Sequence, residues 1–318
     1  MSGERSSRCA VRVLLLGREA YGHQGLNELL LGPSSELVRV VGFATSQAEA
    51  YRATRQLAQF SGVPTFTRPE DEKGLRAWAG GLGAECAFVM EWAHKLSPDL
   101  LHLVDGPFLN FHPSALPHGR GGAPLEDTIL GGRQLVMTCH HVSTTFDSGP
   151  IAAVSEPWDV EGMPLALLYQ LSSHLASRLL RRVVRSLSQR RLEARAQDEA
   201  ARTYRWYKDL DARLAIGCGD SIDSAARKIL AANPKHGLPL AVRVGARVRR
   251  LRVSSAVVVK GSTPRPSGHL IDASAEGFRV ALHGGFLAVA PDGGADPNGI
   301  TRRGVEEIHS LRMAEASG

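Results

Sequence analysis

Three side chains of different chemistry lie in two short stretches of the chain. An amide, Asn110, and an imidazole, His112, belong to residues 110–114, and a carboxylate, Asp147, begins residues 147–151. An amide N–H can stabilise the oxyanion that forms on an attacked carbonyl, and an imidazole beside a carboxylate can take the proton of an attacking amine. These residue types point to acyl transfer to an amine without a covalent enzyme intermediate.

The strand that the pattern predicts over residues 108–111 must bring the first pair forward. Asn110 and His112 are two positions apart, and in extended chain such residues project to the same side. They lie where the strand ends, and α/β sheets build functional sites at the carboxyl ends of their strands. Asp147 falls in a loop between two further predicted strands, so a turn has to carry it to the same edge.

Short apolar stretches alternate with helical patterns through about the first 200 residues, which predicts an α/β fold with a doubly wound, parallel-type, Rossmann-like sheet. The pattern then changes to short strands separated by glycine and proline, which is typical of a small β-barrel of oligonucleotide-binding (OB) type. We therefore expect a catalytic domain over residues 1–200 and an OB-like barrel domain over residues 201–318. The predicted strands are residues 11–16, 37–43, 86–90, 108–111, 137–141 and 151–155 in the first domain, and residues 240–244, 248–253, 268–272, 277–281 and 286–290 in the second.

Composition limits the class of protein. The chain has 318 residues, of which 43% are hydrophobic, and a formal net charge of +6. It lacks an apolar run of roughly 18 residues and begins with a polar segment, so a cytoplasmic protein without a membrane span is expected. The four cysteines are scattered, which favours free buried thiols over zinc or disulfides. Arginine-rich residues 178–195 and 243–252 would attract a polyanion or simply form a solvated surface.

Three other kinds of site are not favoured. Gly17 and Gly22 follow the first strand without the G-x-G-x-x-G spacing of a dinucleotide site. No serine lies in a G-x-S-x-G elbow, which argues against a serine hydrolase. His140 and His141 are adjacent and point to opposite faces of a strand, so we do not expect them to form a metal site with His112.

Two runs of residues resemble a known signature. Residues 109–124 read Leu-Asn-Phe-His-Pro-Ser-Ala-Leu-Pro-His-Gly-Arg-Gly-Gly-Ala-Pro, and residues 138–151 contain Thr-Cys-His and then Phe-Asp-Ser-Gly-Pro-Ile. In order and separation they resemble the two motifs of folate-dependent formyltransferases. Residues 201–204 and 232–237 are similar to the junction between the two domains of these enzymes, so the resemblance covers nearly the whole chain. The chain looks like the methionyl-tRNA formyltransferases, and one short loop is similar to that of small-amine and amino-sugar N-formyltransferases.

The resemblance implies a transferase that moves a formyl group from N10-formyltetrahydrofolate to an amine. It implies that Asn110 donates to the oxyanion, that His112 is a second donor or the proton acceptor, and that Asp147 supports His112. The pterin ring would meet main-chain groups near residues 90–92 and around residues 142–147. The implied folate-binding residues are Phe88, Met90, Glu91, Trp92, Val142, Ser143 and Thr145, with Phe88 taken alone better explained as core. The implied acceptor-binding residues are Ser114, Arg120, Gly121, Glu91 and Asp127.

The chain departs from the family's pattern in two places. The stretch 43–63 is short and lacks the lysine-rich insertion with which the tRNA enzymes engage the acceptor arm, which favours a small amine such as an amino sugar or an aminated natural product. Glu91 and Asp127 stand where the family commonly has uncharged residues. We expect one of them to recognise a cationic group, unless both are simply exposed.

Four other functions stay open at this stage. A carboxylate near the site would suit the amidinium of a formimidoyl group, so formimidoyl-tetrahydrofolate is an alternative donor. Initiator methionyl-tRNA is a less favoured acceptor, supported only by the basic strand that contains Arg247, Arg249, Arg250 and Arg252. Water as the acceptor would make the protein a formyl-folate hydrolase. A non-catalytic binding protein is disfavoured because all three reactive residues are present.

Overall fold

A computed structural model of the chain describes residues 10–46, 51–68, 70–232, 237–253, 256–274 and 276–290. The polar start of the chain, Cys9 and most of the 232–237 stretch lie outside the described residues. The chain divides into two compact units. Unit 1 comprises Met1–Gly121, Leu135–Trp158 and Tyr169–Tyr204, and unit 2 comprises Gly122–Gln134, Asp159–Leu168 and Arg205–Gly318. The domain boundary after residue 200 stays a prediction.

The described residues form both helices and strands. The helices are α1 (Glu19–Leu30), α2 (Arg52–Phe60), α3 (Glu72–Gly80), α4 (Pro98–Leu101), α5 (Pro124–Leu130), α6 (Leu165–Ser188), α7 (Leu210–Leu214) and α8 (Ile222–Ala231). The strands are β1 (Val11–Gly17), β2 (Val38–Ala44), β3 (Thr65–Phe66), β4 (Cys86–Met90), β5 (Phe108–His112), β6 (Thr138–His141), β7 (Ile151–Val154), β8 (Leu238–Val244), β9 (Arg247–Val253), β10 (Val257–Lys260), β11 (Leu270–Ser274), β12 (Gly277–Leu282) and β13 (Gly285–Val289).

Unit 1 is built around a seven-stranded sheet in the order β3-β2-β1-β4-β5-β6-β7. The strands from β3 to β5 pair in parallel, as in a Rossmann-like fold, whereas β5 with β6 and β6 with β7 pair antiparallel. The sheet is therefore mixed, which corrects the parallel-type prediction. For β6 and β7 the physical reason is their connection, residues 142–150, which is too short for the crossover of a dozen residues or more that a parallel pair needs.

Apolar side chains cover both faces of this sheet. Strand β1 buries consecutive residues, which is typical of a strand with a layer on each side. On one face, Gly25 of α1 approaches β4 so closely that a Cβ there would collide with the Met90 sulfur. On the same strand Phe88 packs against Phe111 of β5, with ring centroids 6.1 Å apart. The other face packs residues of α3 and α4 against a cluster that includes Leu14, Leu16, Ala87, Val89 and Phe108. This packing fixes the ends of β1, β4 and β5.

Unit 2 contains an antiparallel sheet in the order β10-β13-β12-β11 and the two-stranded sheet of β8 and β9. Helix α5 lies against α8 in this unit. Helix α5 and strand β10 were not predicted. Pro124 in the first turn of α5 and the acidic residues after it are recognised start signals of a helix. That these strands form an OB-type barrel stays a prediction.

Two smaller expectations concern the cysteines and the membrane. Cys86 and Cys139 are free and buried, but Cys218 is exposed, so the expectation of buried thiols is wrong for that residue. Among the residues with described positions, no helix has both the length and the apolar character needed to cross a bilayer.

Candidate active site

The end of β5 brings two predicted residues to one side of the sheet edge. Asn110 and His112 are half-buried and buried, respectively, and their strand pairs with β6 in a register that sets Asn110 opposite His140. The Asn110 amide nitrogen lies 3.1 Å from His140 Nε2 and 3.4 Å from Asp147 Oδ1. The three predicted residues are therefore brought together, and His140 joins them.

Asp147 reaches this edge from the loop between β6 and β7. Its backbone has a φ of 52°, in the left-handed region that non-glycine residues seldom adopt. Its Oδ1 lies 3.7 Å from His112 Nδ1 and 3.5 Å from His140 Nε2, and its Oδ2 accepts the Gly121 N–H at 2.8 Å. Burial alone would raise the pKa of Asp147, but His112, His140 and the Gly121 N–H together outweigh it and hold the pKa well below the usual range. Asp147 is thus a fixed negative charge at neutral pH.

The partners of His112 decide which of its nitrogens is basic. Its Nε2 lies 2.8 Å from the Gly119 carbonyl oxygen, which can only accept a hydrogen bond, so Nε2 carries a hydrogen. In the neutral ring Nδ1 then holds a lone pair, and this nitrogen faces Asp147 Oδ1. His112 is arranged to take a proton on Nδ1 and to hold it beside a carboxylate.

His140 has the opposite tautomer in its neutral form. Its Nδ1 donates to the His141 carbonyl oxygen at 2.8 Å, which leaves Nε2 to accept from the Asn110 amide. His140 therefore fixes which end of the Asn110 side chain is the donor. From the sequence, His140 was a member of the second motif and a disfavoured metal ligand, and no catalytic role was predicted for it. Within the described ranges, no three His, Cys, Asp or Glu residues are placed to hold a metal ion.

The glycine-rich stretch after β5 contains the predicted Ser114, Arg120 and Gly121. Ser114 is buried, and its hydroxyl donates to the His118 carbonyl oxygen at 2.8 Å. The Arg120 side chain is 0% exposed and bonds to Glu199, so it faces the protein and not an open site. Gly121 meets the site through its N–H, which binds Asp147.

The turn after β4 contains the predicted folate-binding residues Phe88, Met90, Glu91 and Trp92. The side chains of Phe88 and Met90 are fully buried core, so a ligand can meet only their main-chain groups. The Trp92 indole N–H is shielded from solvent and has no acceptor among the described residues. That this turn binds the pterin ring stays a prediction.

Glu91 differs from its neighbours because its side chain is tied down. Its φ is 62°, its Oε2 accepts a hydrogen bond from the Tyr169 hydroxyl, and its Oε1 lies 3.6 Å from Arg18. Burial and the Glu91 charge raise the pKa of Tyr169, so the phenol keeps its proton. The same hydroxyl lies 3.2 Å from a Glu19 oxygen, although it has a single hydrogen to donate. Glu91 is thus a carboxylate held in one place, and the interpretation of a simply exposed residue does not apply.

The loop before Asp147 contains the remaining predicted residues, Val142, Ser143 and Thr145. The Val142 N–H donates to Phe108 O at 2.8 Å, which continues the pairing of β6 with β5. The Ser143 hydroxyl lies 2.9 Å from Thr145 O and 2.8 Å from the Ser148 hydroxyl. The loop is therefore closed by its own hydrogen bonds beside the site.

Asp127 lies in unit 2, where its carboxylate binds three guanidinium groups. Arg133 and Arg205 are each 2.6 Å away and Arg213 is a third partner, while the Asp127 side chain is only 5% exposed. Burial alone would raise the pKa of Asp127, but the three arginines lower it by more, so the pKa lies below its usual value. Asp127 is therefore paired with three arginines, which leaves Glu91, with one arginine at 3.6 Å, as the less fully compensated of the two carboxylates.

Comparison with known proteins decides the family. A model of the family described as formyl transferase matches residues 28–184, which include β5, β6 and the Asp147 loop. About half of the chain is therefore a formyl transferase domain. The protein is therefore an enzyme that transfers formyl groups, which confirms the prediction of a formyltransferase.

The formyltransferase is similar to proteins of two kinds. It is 26% identical over 232 residues, 71% of the chain and 76% of the relative, to the methionyl-tRNA formyltransferase of Wolbachia pipientis subsp. Culex pipiens. It is 28% identical over 323 residues, 96% of both chains, to that of Roseiflexus sp.. In fold it resembles an N-formyltransferase from Helicobacter canadensis, solved with folinic acid and dTDP-3-aminofucose, at a TM-score of 0.63 and 14% identity over 88% of this chain and 98% of that one.

Proposed function

We propose that this formyltransferase formylates the amine of a small molecule, such as an amino sugar or an aminated natural product. The observation that carries the proposed chemistry is the pairing of His112 Nδ1 with the Asp147 carboxylate, 3.7 Å away and beside the Asn110 amide. A base, a fixed counter-charge and an N–H donor are the groups that acyl transfer to an amine requires.

The proposed steps follow from the hydrogen positions. N10-formyltetrahydrofolate supplies an activated formyl group. The acceptor amine loses its proton to His112 Nδ1 as it attacks, and Asp147 stabilises the imidazolium that results. The bond from the formyl carbon to N10 then breaks, and the imidazolium gives its proton to N10, so that tetrahydrofolate leaves as a neutral amine. Of the two contacts of the Asn110 amide nitrogen, the 3.4 Å one to Asp147 is the longer, so the hydrogen on that side is the one to donate to the oxyanion. The 3.1 Å bond to His140 keeps the amide oriented meanwhile.

The connection between β2 and β3 supports a small acceptor over tRNA. It contains the nine-residue helix α2 and ends at Thr65. The family resemblance implies a longer, lysine-rich loop at this place in the enzymes that act on tRNA. Initiator methionyl-tRNA remains the second candidate because the curated relatives named above are methionyl-tRNA formyltransferases.

Glu91 supports a cationic acceptor, or a cationic donor. A carboxylate held by Tyr169 at the end of β4 would bind a second amine of the acceptor, away from the one that attacks. It would equally suit the amidinium of formimidoyl-tetrahydrofolate, so both donors belong in the test.

The test is mass spectrometry of the purified protein with N10-formyltetrahydrofolate and a pool of amino sugars, aminated metabolites and initiator tRNA. We expect one formyl group on a small amine with the wild type, and a rate about 100-fold lower with Asn110→Ala. Binding of folinic acid to both proteins shows that the variant is folded. If tRNA alone is formylated, the proposal of a small-amine acceptor is wrong. If product forms only from formimidoyl-tetrahydrofolate, the proposal of N10-formyltetrahydrofolate as donor is wrong. Consumption of the donor without an acceptor would indicate a hydrolase, and no consumption at all a binding protein.

A further inference from the structure

The backbone of residues 119–121 connects two of the proposed catalytic side chains. The Gly119 carbonyl accepts from His112 Nε2, and the Gly121 N–H donates to Asp147 Oδ2. A later part of the chain holds this tripeptide in place. The Gly119 N–H donates to the Thr203 hydroxyl at 2.9 Å, and the Arg120 N–H donates to the Thr203 carbonyl at 2.9 Å.

The Arg120 guanidinium is the anchor between the tripeptide and residues 197–204, which we call the 197–204 segment. Arg120 is fully buried and donates to Glu199, to the Tyr204 hydroxyl and, from both Nε and a terminal nitrogen, to Gln197 Oε1. The hydrogen bond to Glu199 raises the pKa of Arg120, so the buried cation is compensated. Arg120 therefore fixes the oxygen end of the Gln197 amide.

The nitrogen end of the Gln197 amide holds the Asp147 loop. Gln197 Nε2 donates to the carbonyl oxygens of Asp147 and Gly149, both at 2.7 Å, which uses both of its hydrogens. This loop needs such support because Asp147 has a positive φ. Gly149 also passes so close to the His141 carbonyl that a Cβ would collide with it.

We propose that Gln197 is a positioning residue for the proposed formyl transfer. Its two hydrogen bonds to the loop backbone hold the Asp147 carboxylate beside His112. The inference rests on the proposed function of His112 and Asp147. Gln197 acts through the backbone, because its amide holds the carbonyl groups of Asp147 and Gly149. Arg120, which the sequence resemblance assigned to the acceptor, then holds Gln197 in the correct orientation.

Two substitutions separate the two ends of the Gln197 amide. Gln197→Glu keeps an oxygen for Arg120 but removes both donors to the loop, whereas Gln197→Met removes both ends. We expect Gln197→Glu to lower kcat by about 10- to 100-fold, as for a misplaced catalytic group, with KM for donor and acceptor within twofold of wild type. The matched control is Gln59→Glu, which makes the same change at an exposed glutamine. If Gln197→Met does not fold, Gln197→Glu carries the test.

A second readout does not depend on knowing the acceptor. Asp147 faces both His112 and His140, so a displaced carboxylate changes the surroundings of both rings. NMR spectra of isotopically labelled histidines at one fixed pH should show the ring signals of His112 and His140 moved in Gln197→Glu relative to the wild type and to Gln59→Glu. Unmoved ring signals together with wild-type kcat would overturn the inference and leave the proposed function standing. Absence of transfer by the wild type, with moved ring signals in the variant, would overturn the proposed function and support the positioning.

Discussion

Two neighbouring histidines on β6 make different contacts, and the difference can be tested. His140 accepts a hydrogen bond from the Asn110 amide at 3.1 Å, whereas His141, the next residue, points its side chain away in the alternating strand. Without His140, the Asn110 amide loses the acceptor that fixes its orientation. We expect His140→Ala to lower kcat by about 10- to 100-fold while the KM for folate changes little.

The control for that variant is His141→Ala, which removes the same side chain one position further along β6. Its kcat should stay within about twofold of wild type, because the carbonyl that holds His140 belongs to the backbone. Steady-state kinetics on the acceptor found by mass spectrometry measures both. Equal losses in the two variants would mean that β6 is damaged in general and that His140 has no separate role.

Glu91 belongs to the same scale, but its expected effect is on binding. A carboxylate that recognises a cationic group away from the reacting atoms contributes equally to the ground state and the transition state, so its loss raises KM without changing kcat. We expect Glu91→Gln to raise the acceptor KM about tenfold, and Tyr169→Phe, which removes one hydrogen bond to the same carboxylate, to raise it less. Initial rates over a range of acceptor concentrations decide the matter. An unchanged KM in Glu91→Gln would remove the cationic acceptor from consideration.

At the scale of elements, the sequence patterns predicted the positions of the main strands of the first sheet and the motif residues at their ends. They did not predict the direction in which neighbouring strands pair. The apolar runs of β1, β4 and β5 and the motif residues at the end of β5 follow from period and spacing. The antiparallel direction of β6 was not predicted, because alternation in one strand says nothing about its neighbour. Gln197 was not predicted for a similar reason: the two loop groups that it binds are backbone carbonyls, which every residue type has, and Arg120 is 77 positions away in sequence.

One ion pair between helices gives a stability prediction. Glu28 of α1 is buried and accepts from Arg181 of α6 at 3.0 and 2.8 Å and from the Ser34 hydroxyl at 2.7 Å. Burial alone would raise the pKa of Glu28, but Arg181 and Ser34 lower it more. A lowered folded-state pKa gives stability that is present above the unfolded value, about 4, and is lost as the pH falls through the folded value.

Glu28→Gln should therefore cost about 2 kcal/mol of unfolding free energy at pH 7, as expected for hydrogen bonds to a charged group. The difference from wild type should shrink once the pH falls below about 4, where the unfolded carboxylate is already protonated. Urea unfolding at several pH values measures it, with Glu36→Gln at an exposed position as the control. A difference that stays constant down to low pH would mean that shape, and not charge, makes Glu28 important.

At the scale of the whole molecule, the net charge of +6 is spread unevenly along the chain. Strand β9 contains four arginines, of which Arg247 and Arg250 are exposed and Arg249 and Arg252 are half-buried. Arg252 is also paired with Asp211. The strand therefore presents two well-exposed cations, fewer than its sequence suggests for a phosphate-binding surface.

This count separates the two candidate acceptors. Each cation that neutralises a phosphate of single-stranded nucleic acid steepens the dependence of log affinity on log salt by about 0.7, and for a duplex by about 0.9. Replacing Arg247 and Arg250 by glutamine should thus flatten that slope for initiator tRNA by at most about 2, measured by fluorescence anisotropy between low and physiological salt. For a small amine, kcat/KM should not change, since neither arginine has a role in proton transfer. The opposite result has two parts: the double variant formylates tRNA at least about tenfold more slowly than the wild type, and neither protein formylates a small amine at a measurable rate. That result would make the basic strand part of a tRNA site and make tRNA the acceptor.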